Sequence, residues 1–269
     1  MPLPVLMISS VSSKWEANDV TLICFTSQKG APGATLTALT VAASWPGEDT
    51  ERRVFLEADR AGGAVALRYG IGTDPGLLTL ATSIRSDNSA DIWSHAQQLP
   101  GGLPGILAPD APQQVSATLA AANRSLGRWL EERHVSVLAD VGRLGDGASP
   151  HPLLSEASLV AVVARPIAEQ LQPAVHAIRS AGIGYDRVGW VLIGDRPHPP
   201  AEVEATFGIP VLGVIADDAR TAAGLSEGSS SRRIAKSPLV RSAASLAEHL
   251  AAEVLLPEAP AAAINGAVK

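Results

Sequence analysis

The 269-residue chain has a single cysteine, Cys24. No disulfide can form within one chain, which suits a reducing compartment, and in its apolar surroundings Cys24 reads as a buried thiol acting as a small hydrophobe. An excess of positive charge is also missing. The 21 Lys and Arg stand against 27 Asp and Glu, a net charge of −6, which argues against wholesale nucleic-acid binding. No apolar run approaches the ~18 residues a membrane-spanning helix needs. The six histidines, His95, His134, His151, His176, His198 and His249, have no i, i+4 partner or second thiol with which to build a zinc site. The start of the chain has no basic n-region and does not read as a signal peptide. Residues 1–18 are expected to form a flexible extension and residues 257–269, PEAPAAAINGAVK, a disordered tail. No internal repeat and no linker divides residues 19–256, which read as one domain.

Apolar residues make up 46% of the chain, enough for a sizeable core. They fall in short runs that are apolar throughout: VTLICFT (20–26), RVFLEAD (53–59), VSVLAD (135–140), LVAVVA (159–164), VGWVLI (188–193) and VLGVI (211–215). LPGILA, within the proline-rich segment 100–112, reads as one more short strand between turns. Helical spacing occupies the stretches between, most clearly at 113–132, where Val115, Leu119, Ala122, Leu126, Trp129 and Leu130 share one side. Helices are also predicted at 65–69, after the turn at 72, at 166–181, 217–225 and 238–256, and 226–233, SEGSSSRR, reads as a polar loop. Fully apolar strands alternating with helices predict a mostly parallel sheet covered on both faces: a single α/β, Rossmann-like domain.

The stretch that organises the rest is ICFTSQKGAPGATLTALTVAASW (23–45). A strand runs into a glycine loop, Ser27 to Gly33, and then into a helix, the layout in which backbone N–H groups face a phosphate with help from the helix dipole. Gly33 and Thr35 fit the last glycine and the Mg²⁺-binding hydroxyl of GxxxxGK[ST]. Ala34 stands where the lysine belongs, and a lysine appears earlier, Lys29 ahead of Gly30. KGxxGxT with an early lysine resembles the deviant Walker A loop of the MinD/ParA family. The alanine before the threonine resembles that family's TadZ/CpaE pilus-assembly branch.

The resemblance runs from about residue 20 to 252. It implies a P-loop fold that binds ATP or ADP with Mg²⁺, with Lys29, Gly30, Gly33, Ala34 and Thr35 in the phosphate loop. It also implies a homodimer, in which the early lysine reaches the partner's nucleotide. Glu57-Ala58-Asp59 matches the family's DxD, which makes Asp59 the residue that orients the attacking water. Asp140 matches the Walker B aspartate, so Thr35 and Asp140 are the implied metal residues. The PPG that follows in the family is replaced by Val141-Gly142-Arg143-Leu144. Gly142 is then a candidate N–H donor toward the γ-phosphate, and Arg143 either a bidentate phosphate ligand or a surface ion-pair partner. Gly194 or Asp195 stands where an adenine-reading asparagine is usual, Ala216-Asp217-Asp218 replaces a proline-plus-acid element, and Ser237-Pro238 matches the SP that opens the last helix.

The lost lysine removes one charge-assisted contact of roughly 1.5–3 kcal/mol, one to two decades in affinity. The implied function is a degenerate or slow ATPase, cytoplasmic or recruited to a pole or membrane-associated complex, that localises and assembles a Tad-type pilus or secretion apparatus with other proteins of that machinery. Two alternatives stay open: a ParA-like partitioning ATPase in which Lys29 or Arg143 replaces the missing lysine, and a nucleotide-free interaction scaffold. DNA is not an expected partner. The one basic cluster, Arg232, Arg233, Lys236 and Arg241, reads as a solvated face, and the tail lacks a basic amphipathic helix for membrane anchoring.

Overall fold

Strands without polar alternation need cover on both faces, and the computed structural model of the chain shows how they get it. It describes residues 21–29, 33–47, 53–86, 91–131, 135–145, 151–229 and 231–255. The expected extension (1–18), the expected tail (257–269) and Gly30 lie outside these residues.

In the first strand, β1 (Thr21–Ser27), Leu22 and Cys24 enter one core while Ile23 and Phe25 enter the other. The same division continues through β2 (Arg53–Glu57), β5 (Ser136–Arg143), β6 (Leu159–Ala164) and β7 (Val188–Ile193). The remaining strands are β3 (Gln97–Leu99), β4 (Leu103–Ile106) and β8 (Val211–Ile215). The eight form one sheet in the order β3-β4-β2-β5-β1-β6-β7-β8, parallel except for β3 against β4.

On one face lie α3 (Leu77–Ser86), α4 (Pro112–Glu131), α5 (Pro152–Glu156), α6 (Ala168–Ser180) and α7 (Pro200–Phe207). The six residues predicted for the inner side of α4 are all buried. The other face is covered by α1 (Ala34–Ala43) and α10 (Pro238–Leu255), with the short α2 (Val65–Tyr69) and α8 (Ala219–Ser226) beside them. The last short helix is α9 (Arg232–Ala235).

Four departures from expectation have local causes. Strand β5 runs on through Arg143 because the register against β1 slips between Phe25 and Ser27, so Gly142 and Arg143 are strand residues and not a free loop. α7 starts at Pro200, whose fixed φ suits a first helical turn and whose missing N–H costs nothing there. Within the expected polar loop 226–233, α9 begins at Arg232, where the Ser231 hydroxyl oxygen accepts the Ile234 N–H at 3.3 Å. The antiparallel β3 was not predicted; three residues, QQL, carry no period that sequence reading can use.

Candidate functional site

In an open α/β sheet, ligands sit beyond the carboxyl ends of the strands, where the strand order reverses. Here β1 is that strand: β2 to β5 lie on one side of it and β6 to β8 on the other. Gly33 ends the loop beyond it in a left-handed conformation (φ 95°, ψ 37°) and serves as the N-cap of α1. Among the described residues no side chain caps this helix, and its first turn holds no acid. The first N–H groups of α1, and the positive end of its dipole, are therefore left for an anion. Ala34 packs into the core, Thr35 is half-buried, and Lys29 is exposed at the loop entrance.

Asp140, 1% exposed, lies near the end of β5. The Thr35 hydroxyl donates to its carboxylate, and the Gly142 N–H donates to Oδ1 at 3.1 Å. Burial, with smaller contributions from Asp59 and Glu57, pushes its pKa up to about 6 against these two hydrogen bonds. The amide N–H expected to face a phosphate is thus turned onto Asp140. Gly142 is also fixed in place: its carbonyl accepts the Thr26 hydroxyl at 2.8 Å, its φ is +70°, and a Cβ there would lie 2.1 Å from Asp59 Oδ1. Only glycine lets the Asp59 carboxylate rest on β5 at this point. Asp59, half-buried, accepts the Ala61 N–H at 2.8 Å. Arg143 is exposed at the strand end, paired in register with Ser27.

Glu57, the first acid of the pair, is a scaffold residue. It is 1% exposed and accepts three backbone N–H groups: Ala64 at 2.7 Å, Val65 at 3.0 Å and Ala108 at 3.2 Å. It caps the start of α2 and ties it to the end of β4, while burial raises its pKa. His151 was not singled out from the sequence. It is buried, with Nε2 2.9 Å from the Ala58 carbonyl and Nδ1 accepting the Leu153 N–H at 3.3 Å. Those partners place the proton on Nε2. Burial pushes its pKa down to about 4, so the ring is neutral. His151 therefore grips the backbone between Glu57 and Asp59, while the Ala58 N–H donates to the Asp140 carbonyl at 2.8 Å. The available signal was the His-Pro step before LLSE, an N-cap followed by proline at the first helical position.

Farther along the strand ends, Arg165 after β6 grips Asp217 after β8 with two hydrogen bonds, at 2.5 and 3.0 Å. The bond from Arg165 holds the Asp217 carboxyl below its usual range. Gly194 sits beneath Asp217: a Cβ there would be 3.6 Å from Asp217 Cβ. Asp195 points to solvent.

No protein-family model matches the chain, and no curated protein matches it. Solved structures do. A ParA family ATPase from Chlorobium tepidum TLS superposes with a TM-score of 0.67, covering 86% of this chain and 99% of that one at 17% identity. The fold is that of the MinD/ParA ATPases. The septum site-determining protein MinD from Pyrococcus horikoshii OT3, complexed with Mg-ADP, gives 0.61 at 18% identity, over 86% of this chain and 96% of that one. An McdA variant from Cyanothece in complex with ATP gives 0.61 at 14% identity, over 87% and 97%. At these identities the likeness is one of fold.

Within this MinD/ParA fold, Thr35, Asp59, Asp140 and Gly142 converge at the ends of β1, β2 and β5, and Gly33 opens the helix beside them. Arg143 and Lys29 stand at the rim. Among the described residues no cluster of three His, Cys, Asp or Glu side chains forms a metal cage. The donor set, one hydroxyl and one buried carboxylate, suits Mg²⁺, which keeps waters and takes its remaining ligands from phosphates.

Proposed function

We propose that the chain is a degenerate or slow MinD/ParA-like ATPase that binds Mg-nucleotide weakly and acts as a nucleotide-responsive localisation and assembly factor. The observation that carries this reading is the Thr35 hydroxyl bonded to the buried Asp140 carboxylate beside an uncapped helix start, with Ala34 where a phosphate-binding lysine is expected. Gly33, Ala34 and Thr35 would offer backbone N–H groups to the phosphates, and Thr35 with Asp140 would hold the metal. Mg²⁺, when bound, neutralises charge on the β- and γ-phosphate oxygens. Asp59 would orient a water, with His151 and Gly142 fixing its backbone and its seat. Without the lysine, charge stabilisation during phosphoryl transfer is poor, and turnover is slow.

Structures of this fold with Mg-ADP and with ATP support nucleotide as the ligand. Exposure of Lys29 supports a homodimer in which it crosses to the partner's nucleotide. The pair Ala34-Thr35 favours a Tad-type pilus or secretion apparatus as the machinery served. Calorimetry with MgATP tests the reading: micromolar or weaker binding, lost in Thr35→Ala, with hydrolysis near background is expected. Turnover at about one per second or faster, or the absence of any nucleotide binding, refutes it. The pilus assignment is tested separately, by deleting the gene and counting pili; unchanged piliation refutes it.

A further inference from the structure

A second set of hydrogen-bond donors gathers away from the α1 site. Between α8 and α9 lies an open cavity of about 420 Å³, walled by Arg220 and Thr221 of α8, Ser229 and Ser231 of the connecting loop, and Arg233 of α9. Gly224 allows the two helices to approach, since a Cβ there would touch Ile234 Cδ1 at 3.3 Å. The loop is seated in turn on α2, where Gly228 faces the Arg68 carbonyl and the Tyr69 ring.

Among the described residues, the lining has donors and no carboxylate. Among the described residues, neither Arg220 nor Arg233 makes an ion pair within 4 Å. Asp218 is the acid whose field Arg220 feels, but its oxygens already accept the Thr221 N–H at 3.0 Å and the Thr221 hydroxyl at 2.6 Å. Ser231 accepts the Ile234 N–H and keeps its own proton to donate. Ser229, exposed, adds another hydroxyl. The exposed Arg232, Lys236 and Arg241 nearby raise the positive potential further, and Glu227 at the end of α8 is the acid that opposes them. A wall of two guanidiniums and free hydroxyls matches a ligand made only of acceptors, and guanidinium geometry favours phosphate oxygens. The volume is in the range of small-molecule sites.

We infer that this groove is a second anion site, separate from the α1 helix start, that takes the phosphate groups of a small oligophosphate or phosphate ester. Its test is calorimetry of the full chain with inorganic pyrophosphate in the absence of Mg²⁺. Saturable binding is expected, weakened about tenfold or more when Arg220→Gln and Arg233→Gln are combined and weakened far less by Arg232→Gln, which lies outside the lining. Ser229→Glu puts a carboxylate into the cavity from an exposed loop position, so the fold is kept, and it should remove the same event. Pyrophosphate binding that survives both the double variant and Ser229→Glu overturns the proposal, because the anion then sits elsewhere. Tight binding of duplex DNA that these variants abolish, with no pyrophosphate binding, also overturns it and makes the groove part of a nucleic-acid surface.

Discussion

Replacing Asp140 with asparagine should stabilise the ligand-free protein at neutral pH while removing the carboxylate proposed to hold the metal. The carboxyl is lifted from 3.8 to about 6 by burial in a site that already spends two hydrogen bonds on it. A rise of about two pH units corresponds to roughly 3 kcal/mol of cost for holding the charge in the folded state above pH 6. The sign follows from the direction. A carboxyl whose folded pKa is raised contributes stability below about pH 4, and that contribution is lost as pH climbs through 6. Asparagine removes the charge but leaves one amide N–H short of a partner, so the net gain at pH 7.5 is about 2 kcal/mol, or roughly 4–8 °C for a domain of this size.

His151 sharpens the test because it works in the opposite direction. Its folded pKa is depressed to about 4, so its contribution is present above pH 6.5 and lost as pH falls toward 4. In the natural chain the two groups offset one another between about pH 4 and 6. In Asp140→Asn only the histidine remains, and stability should fall steeply on acidification until the variant crosses the natural chain between about pH 4 and 5, below which the unpartnered amide makes it the less stable of the two. Thermal melts followed by circular dichroism from pH 4 to 8 measure this. A variant that is destabilised at pH 7.5 by an amount independent of pH would refute the reasoning, since its carboxylate would then be a net stabiliser of the fold.

Other perturbations probe neighbouring contacts. His151→Phe leaves the Ala58 carbonyl without its donor and should cost about 1–3 kcal/mol at pH 7, a deficit in urea melts that shrinks toward pH 4. Gly142→Ala must displace Asp59 and hold alanine at φ +70°, so it should cost about 1–3 kcal/mol and abolish any residual hydrolysis. Gly145→Ala, with φ +83° and open space around it, should cost less. Ala34→Lys should tighten MgATP binding by about one to two decades in calorimetry. Lys29→Ala should weaken nucleotide-dependent dimerisation in sedimentation velocity and leave the monomer's melt unchanged.

Strand runs that are apolar throughout were legible because each central strand feeds two cores at once. Leu22 and Cys24 go one way, Ile23 and Phe25 the other, and the polar residues of β1, Thr21, Thr26 and Ser27, fall at the strand's ends. Cys24 itself behaves as read: it is fully buried, with a thiol pushed up by desolvation and Sγ set 3.8 Å from the Leu153 carbonyl. The meeting of the candidate residues was legible where it depends on chain order, since a loop after the first strand and an aspartate near the end of β5 are brought together by parallel topology alone. Thr35 and Asp140, 105 positions apart in sequence, meet because β1 and β5 are adjacent and parallel.

What could not be read are contacts that no local pattern encodes. Glu57 looks in sequence like the first acid of the DxD pair, yet its surroundings give it another role: it accepts three backbone N–H groups, two at the start of α2 and one from Ala108, just beyond β4 and 51 residues away. The strand extension through Gly142 depends on a register slip against β1, which only the paired strands define. His151 shows the same limit from the other side. Its His-Pro step marked a helix start, but nothing in the sequence pointed to its hold on the strand, because its partner there is the carbonyl of Ala58, and every residue has a carbonyl. A positioning group that works through backbone atoms leaves no matching side chain in the sequence, and it becomes visible only when the strand it holds has been placed.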